Sequence, residues 1–158
     1  MTTRARWETL LDRLAVDELI SGYAAAVDDG DWAAYVALFT ADGRADYTSA
    51  GGIAGPAVEV ADWLASTMRL FPMRQHLIVN RRITLAPPSA GTEAEAEAEA
   101  EAEAEAEADY VNPMRLAGPG TESTAPDFVC GGRYTFGLRR TTSGWRVHAV
   151  VVREKWRS

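Results

Sequence analysis

From Glu93 to Ala108 glutamate and alanine alternate without interruption, placing eight glutamates at odd positions and eight alanines at even ones. Both residues favour helix, but a helix would spread the glutamates around its whole circumference and leave no apolar face. A strict period of two instead suits a β-strand with alanines on one face and glutamates on the other. The even phase continues past the repeat through Tyr110, Asn112 and Met114. The segment nearest Tyr110 is therefore predicted to pair with the β-branched stretch Gln75–Leu85. The early part is longer than a typical strand and reads as an expanded hairpin tip of low complexity. The repeat also explains the charge: without its eight glutamates the net −7 of the chain becomes +1. The acidity is local, and it argues against nucleic acid near that segment.

The residues before the repeat read as helices. Trp7, Leu10, Leu11 and Leu14, then Leu19, Ile20, Tyr23 and Val27, recur at three- and four-residue steps, with a slip of phase near Val16 that predicts a bend or two short helices. Gly30 suits the left-handed position after a helix, and Asp31 an N-cap before a second helix carrying Trp32, Tyr35, Val36 and Phe39. Asp42-Gly43 signals a turn, Arg44–Ser49 a short strand, and Pro56 the first turn of a third helix with Val60, Ala61, Leu64, Met68 and Phe71. After the repeat, Gly118–Pro126 reads as a loop. Cys130–Arg140 and Trp145–Val152 read as strands joined by a hairpin turn at Thr141–Gly144. Helices first and a mostly antiparallel sheet afterwards predict an α+β fold, a single domain over residues 1–158 with the Glu-Ala hairpin expansion at 93–108.

Composition narrows the function. No run of about 18 apolar residues is present, so no membrane partner is expected. The charged N-terminal stretch lacks the apolar core of a signal peptide, so a cytoplasmic location is the default. One cysteine, Cys130, rules out an internal disulfide, and with only two histidines a metal site is not expected. There is no phosphate-binding loop, no dinucleotide fingerprint, no H-E-x-x-H and no nucleophile elbow, so no cofactor is written into the chain. Catalysis, if any, rests on side chains that move protons.

Few polar residues fall where a core is expected. Asp28 closes the first helix, where the negative helix end and burial would both raise a carboxyl pKa; the alternative is a solvated helix end. Asp29 and Asp31 are assigned to the turn and the cap. His76 opens a strand with Ile78 and Asn80 on one face, either as a satisfied core residue or as a proton carrier facing a cavity. His148 reads as structural, and Cys130 as an inert thiol.

The run Leu19-Ile20-Ser21-Gly22-Tyr23-Ala24-Ala25-Ala26-Val27-Asp28-Asp29-Gly30-Asp31-Trp32 resembles the opening of SnoaL-like proteins of the nuclear transport factor 2-like superfamily. So do Leu38–Gly43, the helix from Gly55 to Leu64, Arg74–Asn80, and the terminal hairpin with Arg139-Arg140-Thr141 and Gly144-Trp145-Arg146. The resemblance implies a cone: a strongly curved, mixed but mostly antiparallel sheet wrapped around the N-terminal helices, with an apolar pocket at the open end. In scytalone dehydratase and bile-acid dehydratases of this superfamily, a tyrosine and an aspartate on the first helix meet a histidine on the strand after the third. Tyr23, Asp28 and His76 match in type and order, and Tyr47 resembles the tyrosine that scytalone dehydratase uses on its first strand.

The implied roles are an Asp28–His76 proton-transfer pair with Tyr23 and Tyr47 as hydroxyl donors. Candidate substrate contacts are Trp32, Trp63, Asn80, Tyr110, Asn112 and Tyr134. The strand that carries a second active-site histidine in scytalone dehydratase is here the Glu-Ala segment, which has none, and Asp109 falls on the glutamate face. Isomerisation or cyclisation would need only the pair and a donor. The expectation is a cofactor-independent dehydratase, isomerase or cyclase acting on a polyketide- or steroid-like carbonyl compound, working as a homodimer. The alternative is a non-catalytic ligand-binding or subunit module of the same fold.

Overall fold

The computed structural model describes residues 2–86, 103–118 and 125–158. The expected turn at 87–91, the first half of the Glu-Ala repeat and most of the loop after Gly118 lie outside the described residues. Helix α1 (Thr3–Asp29) is capped by Thr2, whose hydroxyl accepts from the Ala5 N–H, and ends on Gly30 at φ 69°. The predicted bend near Val16 is absent: the helix runs unbroken for 27 residues. The phase slip has another cause. Val16, Ile20, Tyr23, Ala26 and Val27 form the buried stripe, whereas Trp7, Leu10, Leu11 and Leu14 are exposed. Helix α2 (Trp32–Ala37) starts from Asp31, whose carboxylate accepts from the Ala34 N–H at 2.9 Å. Helix α3 (Ala57–Thr67) follows Pro56 and buries Ala57, Val60, Ala61 and Leu64.

The strands are β1 (Phe39–Asp46), β2 (Ala54–Pro56), β3 (Met73–Arg74), β4 (Leu77–Leu85), β5 (Glu103–Arg115), β6 (Phe128–Thr141) and β7 (Gly144–Arg157). Phe39, expected at the end of the second helix, instead opens β1, and Tyr47 lies just beyond that strand rather than within it. The seven strands form one sheet in the order β2-β1-β7-β6-β5-β3, with β4 also paired to β5. Every pairing is antiparallel except β1 with β7. This is a mixed α+β architecture with a curved, unclosed sheet around the N-terminal helix.

The repeat residues 103–108 belong to an internal strand that pairs with β4, as expected for the part nearest Tyr110. Leu85 pairs with Ala104 and Ile78 with Tyr110 on one side, and Ala106 with Phe136 on the other. Ala104, Ala106, Ala108, Tyr110, Asn112 and Met114 are all buried, while Glu103 and Glu105 face solvent. The β6–β7 register shifts between Gly131 and Gly132 and between Gly137 and Leu138. A Cβ on Gly132 would fall 2.1 Å from the Arg153 carbonyl oxygen, so only glycine permits the β6–β7 approach there. Helix α1 is tied to the sheet by Trp145 Nε1–H, which donates to Asp12 at 3.0 Å, and by Arg81, which donates to the Asp17 carboxylate and the Ser21 hydroxyl.

Candidate active site

Helix α1, helix α3 and the concave side of β5–β7 enclose a cavity of about 250 Å³. Its wall is mainly apolar, from Val27, Trp63, Leu64, Met68, Phe71, Met114 and Phe128, and His76, Asn112, Glu154 and several tyrosines supply polar points. Such a wall holds an apolar ligand and orients it through a few polar contacts.

His76 sits between β3 and β4 and lines the cavity. Its backbone N–H donates to both carboxylate oxygens of Asp28, at 3.1 and 2.8 Å, and its Nδ1 lies 2.6 Å from Asp28 Oδ1. Asp28 thus grips one residue through main chain and ring together. An ionised carboxylate only accepts, so Nδ1 carries the proton and, in the neutral ring, Nε2 keeps its lone pair. The His76 side chain is 7% exposed and that of Asp28 21%, so the carboxylate is half-sheltered rather than removed from water. Gly30 lets the chain turn off the helix at this point. Arg74 clamps the same corner, donating from Nε to the Val27 carbonyl at 2.9 Å and from one terminal nitrogen to the carbonyls of Met68 and Phe71. Arg74 was not singled out by sequence, because its partners are backbone carbonyls, two on the segment just before it and one at the end of α1.

The Tyr23 and Tyr47 hydroxyls are in direct hydrogen-bond contact. Tyr47 lines the cavity and Tyr23 stands behind it, its ring among those of Tyr35, Tyr134 and Phe136. Burial pushes the Tyr47, Tyr110 and Tyr134 hydroxyls well above the ordinary phenol range, so each keeps its proton and remains a donor. Burial, followed by the nearby Glu154 charge, pushes the Cys130 thiol up to about 11, which fits the inert thiol expected of it.

Of the other residues expected to touch substrate, Trp63, Tyr110, Asn112 and Tyr134 line the cavity. Trp32 and Asn80 do not. Trp32 packs edge-on against Tyr35 and borders a separate shallow depression with Gly30 and Arg74. Asn80 has φ 53°, at a break in the β4–β5 register between Val79 and Arg82. This turns it to the outer face, where it donates to Asp109 at 3.3 Å. The alternation that would have put Asn80 beside Ile78 and His76 is interrupted by that bulge. Asp109 lies on the outer face as expected; a hydrogen bond from Arg133, then one from Asn80, holds its carboxyl below the usual carboxylate range. Glu154 and Arg157, paired at the cavity wall, were missed because they fall in the charged end of the last strand, where sequence alone reads a solvated tail.

Among the described residues no cluster of three or more His, Cys, Asp or Glu side chains is placed to hold a metal, and no helix is long and apolar enough to cross a membrane.

A model of the SnoaL-like domain matches residues 8–151. The uncharacterized protein Rv2910c of Mycobacterium tuberculosis is 26% identical over 136 residues, which cover 86% of this chain and 80% of that protein. Among solved structures, the Kfla4162 protein from Kribbella flavida is similar with a TM-score of 0.76 at 18% identity, over 95% of each chain. A hexachlorocyclohexane dehydrochlorinase, LinA type 2, is similar with a TM-score of 0.74 at 17% identity, over 97% of this chain and 91% of that one. At such identities the structural likeness establishes the fold.

Proposed function

The chain belongs to the SnoaL-like domain family, and from that premise we propose that it is a small-molecule enzyme that uses its own side chains for general acid–base chemistry on an apolar carbonyl compound. The observation that carries the reading is the Asp28–His76 pair, held at 2.6 Å with its imidazole on the wall of an apolar cavity. In the proposed step Nε2 of His76 takes a proton from a carbon next to the carbonyl, and Asp28 stabilises the imidazolium that results. Tyr47, backed by the Tyr23 hydroxyl, donates to the oxygen that becomes enolate. Return of the proton to another carbon gives isomerisation, attack of the enolate within the same molecule gives cyclisation, and loss of a β-substituent gives elimination. The similarity in fold to a dehydrochlorinase supports chemistry that begins with removal of a proton. We also propose a homodimer, for which the exposed Leu77 and Val79 on β4 and the apolar stripe of α1 offer surface to cover.

Deuterium exchange tests the reading without a known substrate. Cyclic ketones in heavy water should exchange the hydrogens next to the carbonyl faster with the protein than without it, followed by proton NMR. Asp28→Asn should slow that exchange by about 10²–10⁴-fold while leaving the fold intact. Ligands that bind but never exchange would instead favour a binding module of the same fold.

A further inference from the structure

We propose that Asn112 and Tyr134 form a recognition point for a hydroxyl group, so that the cavity takes a neutral hydroxylated apolar compound in preference to its methyl analogue. The inference deepens the functional reading above and rests on it only in taking this cavity as the ligand site. Asn112, 5% exposed, is the one buried residue of polar or charged type among the described residues, the tyrosines aside. It lines the cavity, and its Oδ1 is buried without a hydrogen-bond partner among the described residues. A buried acceptor left unpaired costs about 1–3 kcal/mol, and an apolar residue of the same size would avoid that cost. An acceptor held there calls for a donor brought by something else.

Tyr134 completes the point. Tyr134 lines the same cavity from β6, and burial keeps its hydroxyl protonated, so its O–H can donate. An acceptor and a donor thus both face this cavity. A hydroxyl satisfies both, accepting from Tyr134 and donating to Asn112. A carboxylate or phosphate only accepts, and would set its lone pairs against the unpaired Oδ1 of Asn112.

The placement also says where on the ligand that hydroxyl lies. Leu77 pairs with Val111, and the Gln75 N–H donates to the Pro113 carbonyl, so His76 lies opposite Asn112 between them. Side chains opposite each other on one face approach within about 5.5 Å at Cβ. The recognised hydroxyl is therefore close to the carbon on which His76 acts.

The test is equilibrium binding of 2-naphthol and 2-methylnaphthalene to the full chain at pH 7, by calorimetry or tryptophan fluorescence. The two probes differ only in hydroxyl against methyl. The expected result is at least about tenfold tighter binding of the naphthol. That preference should fall to about twofold or less in Asn112→Leu, and in part in Tyr134→Phe. Equal binding of the two probes to the wild-type protein, or a preference that survives in folded Asn112→Leu, overturns the proposal. If Asn112→Leu does not fold, the wild-type comparison still decides. No turnover is involved, so the outcome is independent of the exchange assay.

Discussion

Along β5 the inward residues change between Ala108 and Tyr110, and what they face changes with them. In the first half Ala104, Ala106 and Ala108 lie opposite Leu138, Phe136 and Tyr134, small against large, and all six belong to the buried core. In the second half the sizes invert: Tyr110 faces Gly132 and Asn112 faces Cys130, large against small. That half borders the cavity. Both halves share one alternation, the neighbouring strand β6 and one buried face. Periodicity assigns the face; the size and polarity of the inward residues decide whether it becomes core or pocket.

The strongest way to break this contrast is to put a charge into the core half. Ala106 is 0% exposed, and Ala106→Glu should cost at least about 3 kcal/mol, or prevent folding, in chemical denaturation. Tolerance of that glutamate would mean the half is loosely packed and its alanines do not set the core.

An intermediate effect comes with alkali. All five tyrosines are buried, and Cys130 is held near 11 against 9.0 for a free thiol. The raised groups keep their protons longer in the folded state. Their contribution is therefore complete below the unfolded values and is lost as pH rises through the folded ones. For Cys130 that window runs from about pH 9 to about 11 and is worth on the order of 2 kcal/mol. Absorbance at 295 nm should show tyrosine ionisation in one cooperative step that coincides with loss of the far-ultraviolet circular dichroism. A tyrosine titrating near pH 10 in the intact fold would contradict the burial. The smallest effect belongs to the outer face of the same repeat: Glu105→Gln should move stability by less than about 0.5 kcal/mol.

The two halves also differ in how plainly they are written. Regular alternation makes the Ala-in, Glu-out strand legible from sequence, and Gly30 and Asp31 mark the turn that delivers Asp28 because their roles are local. The pairing of Asp28 with His76 is not local; it was reached through resemblance, since nothing in either segment names the other. Asn80 was misplaced because a single positive φ reverses the face of every later residue, and alternation carries no sign of it. Trp7, Leu10, Leu11 and Leu14 form a good helical stripe, yet they are exposed: periodicity says that a helix has an apolar face, not that the chain itself covers it. The orphaned Oδ1 of Asn112 leaves no mark in the sequence, and neither does the bond from Arg74 to the Val27 carbonyl, 47 residues away.

The central claim is that Asp28 fixes the His76 ring with its proton on Nδ1 and its lone pair on Nε2. Long-range nitrogen–proton correlation NMR of the uniformly ¹⁵N-labelled protein reads this directly. Above the pH at which the imidazole loses its extra proton, the account predicts the Nδ1–H tautomer for His76, with Asp28→Asn abolishing or weakening that preference. An Nε2–H tautomer in the wild-type protein, or one that Asp28→Asn leaves untouched, would contradict it.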